Sequence, residues 1–134
     1  MLGLKVIIVD DSSVVTKRVL SILTEMRNVE CLGSAGTFLS ALDLISKQAP
    51  DVVILDINLD EKLSHPNGID LLIRLRHQFP GMKIIMFTNL SSPPYRSRCL
   101  ESGANYFLDK SNDFYRIPET LEAIEQAAQT TNES

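Results

Sequence analysis

The chain has 134 residues, is 44% hydrophobic and 22% charged, and carries a formal net charge of −4, which fits one globular domain with enough apolar material for a real core. The acidic balance argues against a nucleic-acid surface, and no apolar run approaches the length of a membrane span. The chain passes from Met1 into a strand pattern within a few residues, so no secretory leader and no myristoylation site is expected.

The first strand is expected over residues 5–9, and it runs into Asp10 and Asp11. A helix over 13–26 follows, with Asp11 or Ser12 as N-cap. Val15, Val19, Ile22, Leu23 and Met26 recur at helical spacing and should face the sheet, leaving Val14, Lys17, Arg18 and Ser21 outward. A weakly patterned strand over 29–34 precedes a second helix that begins at Thr37 and carries Leu39, Leu42, Leu44 and Ile45. Pro50 closes the turn into a third strand, 52–55, which ends on Asp56.

A polar, turn-rich loop over 57–67 contains Asp60, Glu61, Lys62, His65 and Pro66. The third helix is expected over 68–79, with Ile69, Leu72, Ile73 and Leu75 in the core, and Pro80-Gly81 breaks it. The fourth strand, from residue 83, ends at Thr88. Ser92-Pro93-Pro94 reads as a cap followed by proline in the first turn of a helix, and Gly103 ends that helix. The fifth strand, from Tyr106 to Leu108, runs into Asp109 and Lys110. The last helix is expected over 113–128, with an irregular or late start at Pro118 and Leu121, Ile124 and Ala128 inward. Residues 129–134 form a polar tail that should fray, so residues 1–128 make the domain. Cys31 and Cys99 lie far apart and form no C-x-x-C, which fits thiols in a reducing compartment such as the cytoplasm. His65 and His77 have no metal-ligand spacing.

Short β-branched runs alternating with helical stretches predict an α/β fold, a parallel sheet covered by helices. In such a sheet the ligand site lies beyond the carboxyl ends of the strands. Asp10, Asp11, Asp56, Thr88 and Lys110 would then converge. Magnesium takes oxygen ligands, usually one or two carboxylates with waters and phosphate oxygens, and a cation would relieve the repulsion among three crowded acids. A carboxylate beside a metal can attack a phosphoryl group, and the ammonium of Lys110 and the hydroxyl of Thr88 would spread the charge on its equatorial oxygens. Taken singly, each residue is weak evidence: a lone Asp is more often a helix cap, and a lone Lys a solvated charge. The signal is their combination, each at a strand end.

The runs Val9-Asp10-Asp11-Ser12, Pro50-Asp51-Val52-Val53-Ile54-Leu55-Asp56, Asn67-Gly68-Ile69-Asp70-Leu71-Leu72, Phe87-Thr88-Asn89 and Gly103-Ala104-Asn105-Tyr106-Phe107-Leu108-Asp109-Lys110 resemble the receiver domain of bacterial two-component response regulators, chemotaxis-regulator-like in form. The resemblance covers nearly the whole chain. It implies a flavodoxin-like doubly wound five-stranded parallel sheet of order 2-1-3-4-5 with five helices. It implies Asp56 as phosphoacceptor, with magnesium held by Asp10, Asp11, Asp56 and the backbone carbonyl of Asn58. Lys110 would bind the phosphoryl group, and Thr88 and Tyr106 would form the switch pair. The implied donor is a phosphohistidine on a sensor histidine kinase or phosphotransfer protein. The output is a two-state surface on the fourth helix, fifth strand and fifth helix, which would meet a downstream protein target or a second copy of the chain.

Several positions depart from the family pattern. The loop after Asp56 is long, and its nearest proline is Pro66. Ser111 follows Lys110 where proline is usual, and because a non-proline cis peptide costs about 3–4 kcal/mol, the sequence leaves open whether the family's cis bond is kept there. Asn89 replaces a small residue and would either narrow the mouth of the site or donate a hydrogen bond to the phosphoryl group. Leu90 cannot position a water, so a long-lived acyl phosphate is expected. The outward face of the first helix, Val14, Lys17, Arg18 and Ser21, is the expected kinase-docking surface, and Arg96, Arg98 and Glu101 mark the output face. Two other readings compete. A magnesium-dependent aspartyl phosphohydrolase would need D-x-D where this chain has Asp10-Asp11-Ser12. A phosphorylation-independent interaction module has no need of the intact acidic set. On the leading reading the chain is no enzyme beyond its own phosphorylation and dephosphorylation.

Overall fold

The computed structural model describes residues 3–59 and 68–133, with side chains in the last helix as far as Gln129. The expected loop residues Asp60, Glu61, Lys62, His65, Pro66 and Asn67 lie outside the described residues. Five strands, β1 (Leu4–Val9), β2 (Val29–Ala35), β3 (Val52–Leu55), β4 (Lys83–Thr88) and β5 (Tyr106–Asp109), alternate with α1 (Ser13–Thr24), α2 (Phe38–Gln48), α3 (Gly68–Gln78), α4 (Pro93–Glu101) and α5 (Arg116–Glu133). The sheet order is β2-β1-β3-β4-β5, and every neighbouring pair is parallel. This is the expected doubly wound topology, with β3 at its centre.

The inner strands read as continuous apolar runs because both of their faces are covered. Alternate residues therefore serve two cores. Ile7, Val9, Val53, Leu55, Ile84 and Met86 pack with α2, α3 and Cys99 of α4. Val6, Ile8, Val52, Ile54, Ile85 and Phe87 pack with α1 and α5. Ser12 is the N-cap of α1, its hydroxyl accepting the Val15 N–H at 3.3 Å. Thr37 and Ser40 form a reciprocal capping box at α2.

Helix details depart from the expected pattern. α1 stops at Thr24, two residues early. In α3 Leu71 is buried and Ile73 is 47% exposed. At 100° per residue the stripe through Leu71, Leu72 and Leu75 carries Ile73 past the edge of the core. In α2 Leu39 is exposed and Ala41 takes the inner position. In α5 Ala128 is exposed and Ile117 is buried with Leu121 and Ile124. α5 starts late, at Arg116, so Pro118 falls in the first turn, where no helical partner for its missing N–H is needed. The helix then continues to Glu133, through the segment expected as a polar tail.

Among the described residues no helix is long and apolar enough to cross a membrane. Both cysteines are free thiols, Cys31 half-buried and Cys99 buried. No cis peptide occurs among the described residues, so the Lys110–Ser111 bond is trans.

Candidate functional site

The parallel ladder runs one residue past three strands and so fixes the residues that follow them. Asp10 N–H donates to the Ala35 carbonyl at 2.9 Å, Asp56 N–H to Val9 at 3.0 Å and Lys110 N–H to Thr88 at 3.0 Å. The expected convergence is present. One carboxylate oxygen from each of Asp10, Asp11 and Asp56 lies within 4.8 Å of the others. Lys110 reaches into this group. Its Nζ donates to Asp56 Oδ2 at 2.8 Å and stands 2.6 Å from Asp10 Oδ2.

The other carboxylate oxygens are held by backbone. Asp10 Oδ1 accepts the Ser12 N–H at 2.9 Å, and Asp56 Oδ1 accepts the Asn58 N–H at 3.3 Å. Asp10, Asp56, Thr88 and Lys110 are buried, whereas Asp11 is exposed. Thr88 Oγ1 accepts the Leu90 N–H at 3.1 Å. A cleft of about 240 Å³ opens over the group, lined by Asp11, Ser12, Val15, Asp56, Asn58, Thr88, Asn89, Leu90 and Lys110.

Burial, helped by the charge of Asp56, pushes the Asp10 carboxyl above its ordinary range, although Lys110 and the Ser12 N–H oppose the shift. Burial works against the Lys110 ammonium, but the hydrogen bonds and charges of Asp10 and Asp56 override it and hold the amine above its ordinary range. Three acids against one ammonium leave an excess of negative charge lined with oxygen donors. This acidic trio fits a hard metal ion.

Gly68 packs directly against the backbone that follows β3. Its N–H donates to the Ile57 carbonyl at 2.6 Å, and a Cβ there would collide with the Asp56 carbonyl oxygen and the Ile57 backbone. Only glycine lets α3 begin this close to the strand that carries Asp56.

Tyr106 does not line the cleft. It is half-buried against the core beneath α1 and α5. Arg18, expected to point outward on α1, is exposed, and it lays its guanidinium 3.7 Å from the centre of the Phe114 ring. Ser111 Oγ and Asn89 Oδ1 lie 3.4 Å apart, which joins the loops after β4 and β5 at the cleft mouth. That bond and the Ser12–Asp10 bond have no sequence signal beyond the identity of small polar residues in turns.

A parallel sheet of this order, with an acidic trio and a lysine at its carboxyl edge, defines the class of doubly wound phospho-aspartate receivers. The family model described as "Response regulator receiver domain" matches residues 6–122, and the chain belongs to that family. As a receiver it takes part in its own phosphorylation chemistry. It is 30% identical to the transcriptional regulatory protein YhcZ of Bacillus subtilis over 110 residues, which are 82% of this chain and 50% of that protein. It is 31% identical to the protein-glutamate methylesterase/protein-glutamine glutaminase of Bacillus subtilis over 125 residues, 88% of this chain and 34% of that protein. The response regulator domain of Thermotoga maritima CheB superposes with a TM-score of 0.78 at 26% identity, covering 93% of this chain and 96% of that one. The chain therefore spans half or less of the length of these two sequence relatives.

Proposed function

We propose that Asp56 is the phosphoacceptor. The observation that carries this is its position: it follows the central strand, between Asp10 and Asp11 after β1 on one side and Thr88 at the end of β4 and Lys110 after β5 on the other. Attack by an Asp56 carboxylate oxygen forms an O–P bond as the N–P bond of a donor phosphohistidine breaks, and the departing imidazole keeps its electron pair. Lys110, already on Asp56, follows the transferred charge. Thr88 donates its hydroxyl to a phosphoryl oxygen, and the half-buried Tyr106 is its switch partner.

Magnesium is the cation that best suits the trio, because the set is all oxygen and small. Asp10, Asp11, Asp56 and the Asn58 backbone carbonyl would hold it, and when bound it neutralises charge developing on the phosphoryl group. The donor is a sensor histidine kinase or phosphotransfer protein, in the cytoplasm. The output passes to a protein target, or to a second copy of the chain, through α4, β5 and α5. Leu90 lines the cleft with an apolar side chain and cannot orient water, which favours a long-lived acyl phosphate.

The test is intact mass after incubation with magnesium and a small phosphodonor, with Asp56→Asn in parallel. One added phosphoryl group on the parent, absent in the variant and in chelator, supports the assignment. An equal gain on Asp56→Asn overturns it.

A further inference from the structure

β5 carries Lys110 to the acidic site, yet its own pattern does little to fix its register. It has four residues and lies at the edge of the sheet, bonded to β4 alone. Its apolar run is continuous. Phe107 joins the core that holds Leu75 and Cys99, and Tyr106 and Leu108 join the opposite core with Ile117 and Leu121. A run that is apolar on both faces does not by its pattern resist a slip of one residue. Such a slip turns every side chain to the other face, and Lys110 would then point away from Asp10 and Asp56.

The register is set at the start of the strand. Asn105 N–H donates to the Ile84 carbonyl at 2.9 Å, and Asn105 Oδ1 accepts the Ile84 N–H at 2.9 Å. One residue thus engages both backbone groups of one residue of β4. Arg76 of α3 holds the accepting oxygen in place. Its Nη2 donates to Asn105 Oδ1 at 2.8 Å, and Nη2 and Nε both donate to the Gly103 carbonyl, at 2.7 and 3.0 Å. Nη1 donates to the carbonyls of Pro80 at 2.9 Å and Met82 at 2.7 Å. One planar guanidinium therefore joins the residues ahead of β5 to those ahead of β4, with a fork that a lysine ammonium lacks. Gly103 belongs to the same device. Its φ is +111°, and a Cβ there would stand 2.8 Å from Arg76 Cγ, so a side chain would displace the arginine.

We propose that Asn105 and Arg76 are positioning residues for phosphoryl transfer, which fix the register of β5 on β4 and so deliver the Lys110 ammonium to Asp56. This rests on the reading of Asp56 as the acceptor. Neither residue touches a reacting atom. Asn105 lies roughly 16 Å along the strand from Lys110. It acts through the ladder, whose last bond runs from the Lys110 N–H to the Thr88 carbonyl at 3.0 Å.

Loading of the full chain from acetyl phosphate with magnesium, followed by intact mass, tests this. Asn105→Ala should load about tenfold more slowly than the parent, within the roughly hundredfold that a 1 Å misplacement can cost. Asn105→Asp keeps the accepting oxygen and should load as the parent does. In a Lys110→Met background Asn105→Ala should cost nothing more, because both changes remove one positioned ammonium. Parent-like loading by Asn105→Ala would overturn the proposal. The same tenfold loss with Lys110 already replaced would overturn it too, since it would show a general weakening of the fold. Loading of Asp56→Asn equal to the parent's would overturn the acceptor reading instead. Should Asn105→Ala fail to fold, Arg76→Lys, which cannot span the same carbonyls, carries the comparison with and without Lys110→Met.

Discussion

Lys110 Nζ approaches Asp10 Oδ2 to 2.6 Å, closer than its 2.8 Å contact with Asp56. The lysine therefore does more than wait for a phosphoryl group. It is the resident counter-ion of two buried carboxylates that would otherwise repel each other. Asp10 remains above its ordinary range in spite of it, so the folded state carries an uncompensated electrostatic cost at neutral pH.

Asp10→Asn should therefore raise stability in chelator, by about 1 kcal/mol, since it removes one buried charge and keeps the shape. It should also weaken the stabilisation that added magnesium gives the parent. Urea unfolding midpoints with and without the cation are the check. An Asp10→Asn protein less stable than the parent in chelator would contradict this account.

The two ends of the pH scale should separate the pair. Asp10 binds its proton more tightly folded than unfolded, so it favours the folded state increasingly as pH falls from its raised value toward 3.8, and disfavours it above that window. Lys110 also binds its proton more tightly when folded. Its contribution is complete below 10.5 and is lost as pH rises through the raised folded value. In chelator, thermal unfolding should show an alkaline loss of stability beyond pH 10.5 that is smaller in Lys110→Met. That variant should be less stable than the parent at pH 7 by about 3 kcal/mol, because it strands two buried acids.

Asn89 lines the cleft, and its side chain meets Ser111 from the loop after β5. Asn89→Ala should accept a small phosphodonor about threefold faster, the effect of one exposed, modest hydrogen bond together with a wider opening. Ser111→Ala should act in the same direction, and the double variant should add little to either single change. Stopped-flow loading rates check this, and an Asn89→Ala rate equal to the parent's would remove the gate.

Gly68→Ala should be the most damaging small substitution near the site. The added methyl meets backbone rather than a movable side chain, so the loop after β3 must shift. A loss of about 1–3 kcal/mol is expected, with slower phosphoryl uptake even where the variant is folded. Circular dichroism melts paired with loading rates would show it. A variant that loses stability but loads normally would place Gly68 in the scaffold alone.

The strands and the site were largely readable from the chain because one physical rule covers both. A run buried on two faces cannot accept an acid or a hydroxyl in its middle, so Asp10, Asp56 and Thr88 mark where each run leaves the core. The helices were less readable. Leu71, Leu72 and Ile73 are consecutive apolar residues, and periodicity alone does not say which neighbouring pair of the three faces the sheet; the fold buries Leu71 and Leu72 and leaves Ile73 outside. Ala128, expected inward, is exposed at the far end of α5. Arg76 left no trace at all, since a single arginine on an amphipathic helix reads as a solvated charge. Its five hydrogen bonds all reach residues made neighbours by folding, or carbonyls in the turn beyond its own helix.

The burial of Cys99 gives α4 a chemical reporter of its own. Removal from water pushes that thiol up to about 11, with some opposition from Arg98, so at neutral pH it is both inaccessible and almost wholly protonated. Cys31, half-buried on the edge strand β2, has no comparable shelter. Alkylation of the native chain should proceed in two steps. The slower one would time the moments when the fourth helix lifts from the sheet.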